Sequence, residues 1–459
     1  MNFFFNPQGI AIIGATANPH KGGYNILKNI VTEYEGGIYP VNPRYSDIEG
    51  ITCYDSVLNV PDPVDLAIVF VPAQIAVHAV KECAQRGIKG VIIQSAGFAE
   101  TGARGRAFQD ELIRIREETG IRLWGPNCMG LVDAVNRHVF SFVLPAIWDY
   151  GLLPGNVSLI VQSGMLSAGF LIDTVSHGTM GISKACSIGN KVDVNECDIL
   201  EYLIQDPDTS AIGAYLESIT DGKRFLKACR NTKKPIVVLK GGKSEKGAGA
   251  AMSHTSSLAG NAAVISGALT QARVTEANDF KQMLDHCRTQ AAYPDARGKG
   301  KGRIAILTYS GGAGIVSADF VDQMELELAD LSPRTLQQLT KVFPEWMLPS
   351  NPVDMWPAME KNGPEKVYKT AFEAVCSDPN VDAVLFHVFI GGIITTMNIS
   401  PLVDITRKHN KPLFMWLLGK REESFEFQKE VQNLGVPVYR ELHRAVECMS
   451  ALFAGHGHK

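Results

Sequence analysis

Short apolar runs alternate with longer segments of helical spacing along most of this chain. The runs are rich in Ile and Val and are bounded by Gly, Pro or Asp, which is typical of buried strands. Strands that alternate with helices predict βαβ units and a parallel sheet. In the first part of the chain the predicted strands cover residues 9–16, 38–43, 65–72, 90–95 and 122–125, and the predicted helices cover residues 24–34 and 73–86.

The alternation of strands and helices restarts after residue 145 and again after residue 302. Predicted strands there cover residues 156–162, 181–189, 211–217, 235–240, 303–309, 381–389 and 412–418, and predicted helices cover 168–177, 262–272 and 315–324. Residues 291–302 are rich in Gly, Lys and Pro and lack an apolar period, so they predict a linker. At about 150 residues per domain, the length of the chain predicts three domains. We expect an α/β fold of three doubly wound parallel-sheet domains over residues 1–145, 146–290 and 303–459.

Composition and charge argue against several classes of partner and site. The formal net charge is −4, so neither nucleic acid nor an anionic membrane is an expected partner. The nine cysteines form no CxxC pair, which favours reduced thiols over disulfides or a zinc site. The sequence holds no run of about 18 apolar residues that would predict a membrane span, and its first residues lack the basic region of a signal peptide. We therefore expect a cytoplasmic protein without a metal site of its own.

The first predicted strand ends in a glycine turn, which is a candidate phosphate site. Gly14 is followed by Ala15 and Thr16, so the GxGxxG fingerprint of dinucleotide-binding turns is absent. The second strand ends at Asn42 without the Asp or Glu that would hold a ribose hydroxyl. These departures disfavour a nicotinamide-dependent dehydrogenase. The N–H groups of the turn, the Thr16 hydroxyl and the Lys21 ammonium can instead hold a phosphate, although Lys21 taken alone is more typical of a solvated surface lysine.

Two further strands end in small-residue turns that precede a predicted helix. Ser163 and Gly164 form one such turn, and Gly311 and Gly312 belong to the other. The unpaired N–H groups and the dipole at a helix N-terminus attract anions. Many α/β proteins use such turns only to reverse the chain, so each turn is a candidate anion site that needs support from its surroundings.

One histidine is distinguished by its position. His254 lies in a loop of small residues, 247–260, that follows a predicted strand and precedes a predicted helix. Ligands of open α/β sheets bind at the carboxyl ends of strands, and Gly and Ser let an anion approach the backbone. Glu217 ends another predicted strand and lies at the same edge if the two strands are parallel. A carboxylate bonded to one imidazole nitrogen makes the other more nucleophilic. By contrast, His387 lies inside an apolar run and is interpreted as a core histidine.

The loop around His254 resembles a known family. The string Ser253-His254-Thr255, followed by Leu258-Ala259-Gly260, resembles the phosphohistidine segment of the NDP-forming acyl-CoA synthetases, typified by ADP-forming acetyl-CoA synthetase. It is also similar in role to the α subunit of succinyl-CoA synthetase. Supporting strings run in family order over nearly the whole chain: Gly14-Ala15-Thr16, residues 125–130, residues 162–164, residues 187–191 with Asp193, and residues 351–354. Each string is weak alone, but the ordered set is specific. Ser256 departs from the pattern, because the family usually has Gly there.

The resemblance implies a fold, a reaction and a site. The fold is a Rossmann-like CoA-binding domain followed by two flavodoxin-like domains. The reaction is acyl-CoA + phosphate + NDP ⇌ acid + CoA + NTP, through an acyl phosphate and a phosphohistidine at His254 that Glu217 would orient and stabilise. Phosphate would contact Ser163, Gly164, Gly311 and Gly312. The CoA site would be lined by Gly14, Thr16, Lys21, Val41, Asn42, Val71, Pro72 and Ser95, with Asn127 near the thioester.

One part of the family's reaction cycle has no counterpart in this sequence. Nothing in the chain resembles the ATP-grasp domain, which the family carries either fused or as a separate β subunit. We therefore expect an α subunit of a hetero-oligomer, with an ATP-grasp β subunit that brings ATP or ADP and Mg²⁺ and a small carboxylic acid as substrate. The alternative is a CoA-binding regulatory or scaffold protein without turnover, against which the presence of both His254 and Glu217 argues.

Overall fold

A computed structural model describes residues 1–147, 149, 151–178, 180–249, 261–391 and 398–454. His254 and the rest of the predicted phosphohistidine string lie outside the described residues. The chain forms two compact units, of which the first holds Met1–Ser176 and Met180–Met283 and the second holds most of the chain from Leu284 onward. Among the described residues, no helix combines the length and the apolar character needed to cross a lipid bilayer.

The first unit begins with a five-stranded parallel sheet that is buried on both faces. Its strands are β1 (Gly9–Ile13), β2 (Gly37–Val41), β5 (Leu66–Val69), β6 (Gly90–Ile93) and β7 (Arg122–Trp124), in the order β2-β1-β5-β6-β7; β3 (Asp47–Ile48) and β4 (Ile51–Thr52) form a separate hairpin. The helices are α1 (Asn2–Phe5), α2 (Gly22–Glu33), α3 (Ala73–Arg86) and α4 (Ala103–Thr119). Ile10 and Ile12 pack into one hydrophobic cluster, whereas Ala11 and Ile13 pack into another. A parallel strand covered on both faces must be apolar throughout, which explains the continuous run in the sequence.

The second sheet of the first unit has seven strands, and its edge is antiparallel. The strands are β8 (Gly130–Asp133), β9 (His138–Ser141), β10 (Pro154–Val161), β11 (Ile182–Ser187), β12 (Ala211–Leu216), β13 (Ile236–Lys240) and β14 (Thr275–Ala277), in the order β14-β13-β12-β10-β11-β8-β9. The helices are α5 (Gly164–His177), α6 (Glu196–Gln205), α7 (Gly222–Arg230) and α8 (Ala262–Gln271). The next helix, α9 (Phe280–Ala292), begins in this unit, but its residues from Leu284 onward belong to the second unit. The hairpin β8–β9 pairs with β11, so residues within the predicted first domain add two strands to the second sheet. The domain limits at residues 145 and 290 stay a prediction.

The second unit is built on a third sheet, whose pairings are all parallel. Its strands are β15 (Arg303–Thr308), β16 (Glu327–Leu328), β17 (Val353–Asp354), β18 (Ala383–Ile390), β19 (Leu413–Gly419) and β20 (Val438–Tyr439), in the order β16-β15-β18-β19-β20 with β17 also on β15. The helices are α10 (Gly311–Gln323), α11 (Pro333–Thr340), α12 (Trp356–Asn362), α13 (Pro364–Cys376), α14 (Ser400–Lys408), α15 (Arg421–Asn433) and α16 (Leu442–Ala454). The predicted α/β architecture of mostly parallel sheets is confirmed.

Two local differences from the predicted elements have a physical cause. The helices α5 and α10 begin at Gly164 and Gly311, four residues earlier than predicted, so each glycine turn is itself the first turn of a helix. Glycine costs little there, because the first N–H groups of a helix have no intrahelical partner. Residues 351–354, whose Asn-Pro start is typical of a turn, contain β17 instead. The Asn351 carboxamide donates to Ile304 O at 2.8 Å and accepts from Ile306 N at 3.0 Å, which holds the segment against β15.

Candidate functional site

The glycine turn after β1 brings two strands and a helix into backbone contact. Gly14 has a φ of +97° and donates its N–H to Val41 O at 3.0 Å. A Cβ at Gly14 would lie 2.4 Å from Phe70 O, and a Cβ at Gly23 would lie 2.1 Å from Gly14 O. Both positions require glycine, because any side chain would push the backbones apart. This packing places the N-terminus of α2 at the carboxyl edge of the first sheet.

A cavity of about 820 Å³ opens at this edge. Its wall includes residues that the resemblance assigns to CoA binding: Gly14, Thr16, Lys21, Val41, Asn42, Val71 and Pro72. The Asn42 side chain is fixed, because its Oδ1 accepts the Arg44 N–H at 3.0 Å. Thr16 Oγ1 lies 3.1 Å from the Tyr45 hydroxyl. Lys21 is exposed and occupies the N-cap position of α2 without a side-chain capping bond. The cavity therefore joins a helix N-terminus to a solvent-facing ammonium, which suits a phosphate group.

The same wall carries polar residues that the sequence analysis did not single out. They are Arg44, Tyr45, Asp55, Ser56, His78 and Glu82. Arg44 and Tyr45 lie three and four residues after the end of β2, so the rule that ligands bind at the carboxyl ends of strands, extended beyond Asn42, would have found them. His78 and Glu82 lie one turn apart on α3, and only the packing of that helix brings them to the cavity.

A second cavity, of about 550 Å³, shares Phe70, Val71 and Pro72 with the first. Its wall includes other residues that the resemblance singled out: Ser95, Asn127, Ser163, Gly164 and Glu217. The Ser95 hydroxyl accepts the Val71 N–H at 3.0 Å, which ties β6 to the shared wall. The structure thus brings the predicted CoA residues and Glu217 onto two adjoining cavities of the first unit.

Two turns, one from each sheet of the first unit, meet at the second cavity. Asn127 follows β7 and Gly189 follows β11, and both have a φ of +56°. A Cβ at Gly189 would lie 2.2 Å from Pro126 O, so the two backbones touch only because this residue is glycine. The Asn190 N–H donates to Pro126 O at 2.9 Å, and Asn127 Nδ2 donates to Asn190 Oδ1 at 3.4 Å. The contact fixes the backbone on which Asn127 stands.

The N-terminus of α5 faces the same cavity through Ser163 and Gly164. The Ser167 hydroxyl donates to Ser163 O at 2.6 Å and reinforces the first turn of the helix. A Cβ at Gly164 would lie 3.5 Å from Met129 N and 3.7 Å from Asn127 O, which is ordinary contact distance. The first turn of α5 therefore packs against the segment that carries Asn127.

Glu217 is held in place by neighbours on both sides of β12. The residue is 9% exposed, and its N–H donates to Gln162 Oε1 at 2.8 Å. Lys240 Nζ donates to Glu217 O at 2.6 Å, and the Tyr215 hydroxyl donates to Glu217 Oε1 at 3.4 Å. Burial, together with the nearby Glu217 carboxylate, raises the pKa of Tyr215 to about 12, so the phenol keeps its proton to donate.

The edge position predicted for Glu217 agrees with the strand pairing. The strands β12 and β13 are parallel, with Leu216 opposite Lys240 in the register. Glu217 therefore stands beside Gly241, where the chain leaves β13 towards the segment that contains His254. His254 itself lies outside the described residues.

Two buried ammonium groups contact the backbone around Glu217, and the sequence analysis assigned a role to neither. Lys191 Nζ lies 2.9 Å from Glu196 Oε2, 2.9 Å from Ser218 O and 3.0 Å from Ser218 Oγ, and its side chain is 5% exposed. Lys240 is buried as well, and burial lowers its pKa against the opposing effect of Glu217. Lys240 could have been found in the sequence from its position at the end of an apolar strand, because a buried lysine is rare unless its charge has a partner. The two ammonium groups hold the backbone of Glu217 and Ser218 in place.

The other predicted phosphate residues, Gly311 and Gly312, belong to the second unit. They form the first turn of α10, where Ser310 Oγ accepts the Ala313 N–H at 3.4 Å. Their part in phosphate binding stays a prediction.

The core-histidine interpretation of His387 is confirmed. His387 is 0% exposed, its Nε2 lies 3.0 Å from Ser317 Oγ, and its Nδ1 lies 2.9 Å from Thr308 Oγ1. Burial lowers its pKa to about 4, so the ring is neutral at physiological pH.

Comparisons with known proteins match both sheets of the first unit. A family model described as a CoA binding domain matches residues 8–134, and a model described as a succinyl-CoA ligase like flavodoxin domain matches residues 154–290. Both cavities are lined by residues from within these two matched ranges, apart from Phe142.

Whole-chain comparisons extend the similarity to the second unit. The chain is 37% identical over 448 residues to the alpha subunit of acetate–CoA ligase (ADP-forming) II of Pyrococcus furiosus, a match that covers 96% of this chain and 94% of that protein. It is 36% identical to acetate–CoA ligase (ADP-forming) II of Archaeoglobus fulgidus, of which it spans 65% of the length. Among solved structures, the dinucleotide-forming acetyl-coenzyme A synthetase 1 of Candidatus Korarchaeum cryptofilum, in complex with phosphate and ADP, superposes with a TM-score of 0.87 at 31% identity, covering 99% of this chain and 96% of that one.

Proposed function

This chain belongs to the family of ADP-forming acyl-CoA synthetases that its sequence resembles, and from that premise we propose that it acts as the α subunit of such an enzyme. It binds acyl-CoA and phosphate. A phosphate oxygen attacks the thioester carbon, a C–O bond forms, the C–S bond breaks, and CoA leaves as the thiol once it is protonated. The acyl phosphate then transfers its phosphoryl group to His254, and the acid is released.

The observation that carries the proposal is the wall shared by the two cavities. Residues 70–72 connect a first cavity, rich in predicted CoA contacts, to a second cavity where Asn127, Ser163 and Glu217 meet. This arrangement supports CoA lying along the first cavity with its thioester in the second, beside the N-terminus of α5. The N–H groups of that helix turn suit phosphate, which supports Ser163 and Gly164 as its contacts.

Glu217 fits the role of the group that stabilises a charged imidazole. Phosphorylation of His254 leaves positive charge on the ring, and a fixed carboxylate stabilises that charge more than a mobile one does. Gln162 accepts the Glu217 N–H and Lys240 donates to the Glu217 carbonyl, and these two hydrogen bonds give the residue the required rigidity.

The return of the phosphoryl group to a nucleotide requires a nucleotide-binding site. We propose an ATP-grasp β subunit that binds ADP or ATP and Mg²⁺ and accepts the phosphoryl group from His254. Within the described ranges, no group of three His, Cys, Asp or Glu side chains is arranged to hold a metal ion. We assign Mg²⁺ to the same partner, because the ion is usually held by one or two carboxylates together with the phosphates of the nucleotide.

Phosphate transfer to the chain alone tests the proposal. Incubation of the full chain with acetyl-CoA and radioactive phosphate, without nucleotide or partner, should give an acid-labile, base-stable label. The label should be lost in His254→Ala. It should form more slowly in Glu217→Gln, because the amide keeps the size of the side chain but cannot stabilise an imidazolium by charge.

His409→Ala is the matched control, because His409 ends α14 in the second unit and lines neither cavity. It should label at the wild-type rate. A label that persists in His254→Ala would contradict the mechanism. Absence of label with every acyl-CoA donor tested, from a chain that still binds CoA, would favour the regulatory alternative.

A further inference from the structure

A hydrogen-bonded row of side chains reaches the second cavity from a loop that the proposed function does not use. Asn190 Nδ2 donates to Glu100 Oε2 at 2.7 Å and to Gln109 Oε1 at 3.0 Å, and Asn190 Oδ1 accepts from Asn127 Nδ2 at 3.4 Å. Glu100 lies in the loop between β6 and α4, whereas Asn190 follows β11. The row thus joins both sheets of the first unit at the point where Asn127 lines the cavity.

The carboxylate at one end of this row fixes the orientation of both amides. An ionised carboxylate only accepts hydrogen bonds, so the nitrogen of Asn190 must face Glu100 and its oxygen must face Asn127. The nitrogen of Asn127 must then face that oxygen. Without Glu100, either amide could rotate by 180° at little cost, since the oxygen and nitrogen have the same shape.

Glu100 is itself held as a carboxylate. Its Oε1 accepts the Gly97 N–H at 2.7 Å and the Phe98 N–H at 3.0 Å. Burial alone would raise the pKa of Glu100, but the hydrogen bonds from Asn190 and from these backbone groups outweigh burial, and the pKa is lowered. The Glu100 carboxyl group is therefore ionised at neutral pH, and it keeps the Asn190 and Asn127 amides in the orientation described above.

The far end of the row is a donor beside a helix N-terminus. One N–H of the Asn127 carboxamide is used by Asn190, and Asn127 and Gly164 both line the cavity. An amide N–H placed on a carbonyl oxygen stabilises the negative charge that grows there when a nucleophile, such as a phosphate held at the helix turn, attacks the carbon.

We propose that Glu100 and Asn190 are positioning residues that orient the Asn127 carboxamide so that its second N–H donates to the thioester carbonyl oxygen of acyl-CoA. The inference rests on the proposed function and adds the group that polarises the thioester. Asn127 touches the substrate; Glu100 and Asn190 act only through it. The row polarises the carbonyl without contributing to the binding of CoA itself.

The substitution Glu100→Gln tests the orientation. The amide oxygen of Gln at position 100 keeps the hydrogen bonds from Gly97 and Phe98, so the amide nitrogen at position 100 faces the nitrogen of Asn190. The Asn190 amide must then rotate, which turns its nitrogen towards the nitrogen of Asn127 and brings two donors together. Because loss of one such donor lowers the rate of acyl transfer by roughly 100-fold or more, we expect about 100-fold slower labelling of the chain at saturating acetyl-CoA, with unchanged affinity for CoA.

Infrared difference spectroscopy supplies a readout that a purely structural role would not move. Acetyl-CoA labelled with carbon-13 at the thioester carbonyl, bound to the full chain without phosphate, should show a carbonyl band shifted to lower frequency than in solution. In Glu100→Gln and in Asn190→Ala the band should return towards the solution value. Asn190→Ala removes the amide without opposing two donors, so it tests the same point if the first variant does not fold.

Exchange of the carboxylate at position 100 and the amide at position 190 should restore the row of hydrogen bonds. In the double variant Glu100→Gln with Asn190→Asp, the carboxylate at position 190 accepts from the amide at position 100 and from Asn127. Labelling and the carbonyl band should then return most of the way to wild type. Gln109→Ala, which keeps the bond between Glu100 and Asn190, should resemble wild type.

The outcomes separate this inference from the proposed function. A wild-type chain that binds neither CoA nor acetyl-CoA would overturn the proposed function and the inference together. A wild-type chain that binds and labels, with an unchanged carbonyl band and labelling rate in Glu100→Gln and Asn190→Ala, would overturn the inference alone. Failure of the double variant to recover, while both single variants are slow and folded, would also overturn it.

Discussion

Replacement of Lys191 by methionine should destabilise the first unit strongly. The ammonium of Lys191 pairs with Glu196, whose side chain is 0% exposed, and donates to both the carbonyl and the hydroxyl of Ser218. Methionine fills a similar volume but removes the charge and all three bonds. Glu196 then remains buried, with donors only from Thr220 among the bonds described here.

The size of the effect follows from the geometry. Two unit charges 2.9 Å apart attract by about 6 kcal/mol at an effective dielectric constant of about 20, before any desolvation is counted. Removal of one member of a buried ion pair typically costs about 3–5 kcal/mol, because the other charge stays buried and unpaired. We expect a loss of that order in the free energy of unfolding of the first unit.

Urea titration with hydrogen-exchange mass spectrometry measures this loss within one unit. The two compact units need not unfold together, so protection should be followed in peptides from β11 and β12. Lys89→Met is the matched control: it makes the same substitution in the same unit at a side chain that is 64% exposed, and it should cost about 0–1 kcal/mol. In the double variant Lys191→Met with Glu196→Gln, no charge stays buried, so it should be more stable than Lys191→Met alone.

A loss in Lys191→Met no larger than that in Lys89→Met would refute the reasoning. It would mean that water or a rearranged side chain reaches Glu196, and that the ion pair does not fix the Ser218 backbone next to Glu217. A double variant less stable than Lys191→Met would refute it as well.

Two further predictions address the cavity and the second unit. Lys21→Glu should weaken CoA binding about tenfold in calorimetry, because it replaces an exposed ammonium at the first cavity by a negative charge. Lys223→Glu, outside both cavities, should bind CoA normally. Equal affinities of the two variants for CoA would remove Lys21 from the site. His387 has a pKa of about 4 when folded and about 6.5 when unfolded, so the unfolded chain binds the extra proton, and stability should fall as pH decreases from 6.5 to 4 by about 3 kcal/mol. Thermal unfolding of the second unit should show this pH dependence, and His387→Gln should lack it; an equal pH dependence in both proteins would exclude His387 as its source.

The sequence alone was enough to predict the parallel strands, the glycine turn and the family. Continuous apolar runs such as residues 9–13 and 236–239 identify strands covered on both faces, because short runs rich in Ile and Val are typical of such strands. Gly14 was predictable as well, since a strand that ends in glycine before a helix needs a close approach of backbones. The edge position of Glu217 followed from the parallel order of two strands.

Only the tertiary structure decided which residues meet at the second cavity. The apolar pattern reports that a strand is buried but not which sheet it joins, so the pairing of β8 with β11 was not predictable from residues 130–133. The same limit applies to polar groups. Glu100 and Asn190 are 90 positions apart in the sequence. Lys191, taken from the sequence alone, is typical of a surface turn. A hydrogen bond depends on distance and direction in space, neither of which periodicity along the chain encodes, and for that reason the side chains around Asn127 and Glu217 became visible only in the folded protein.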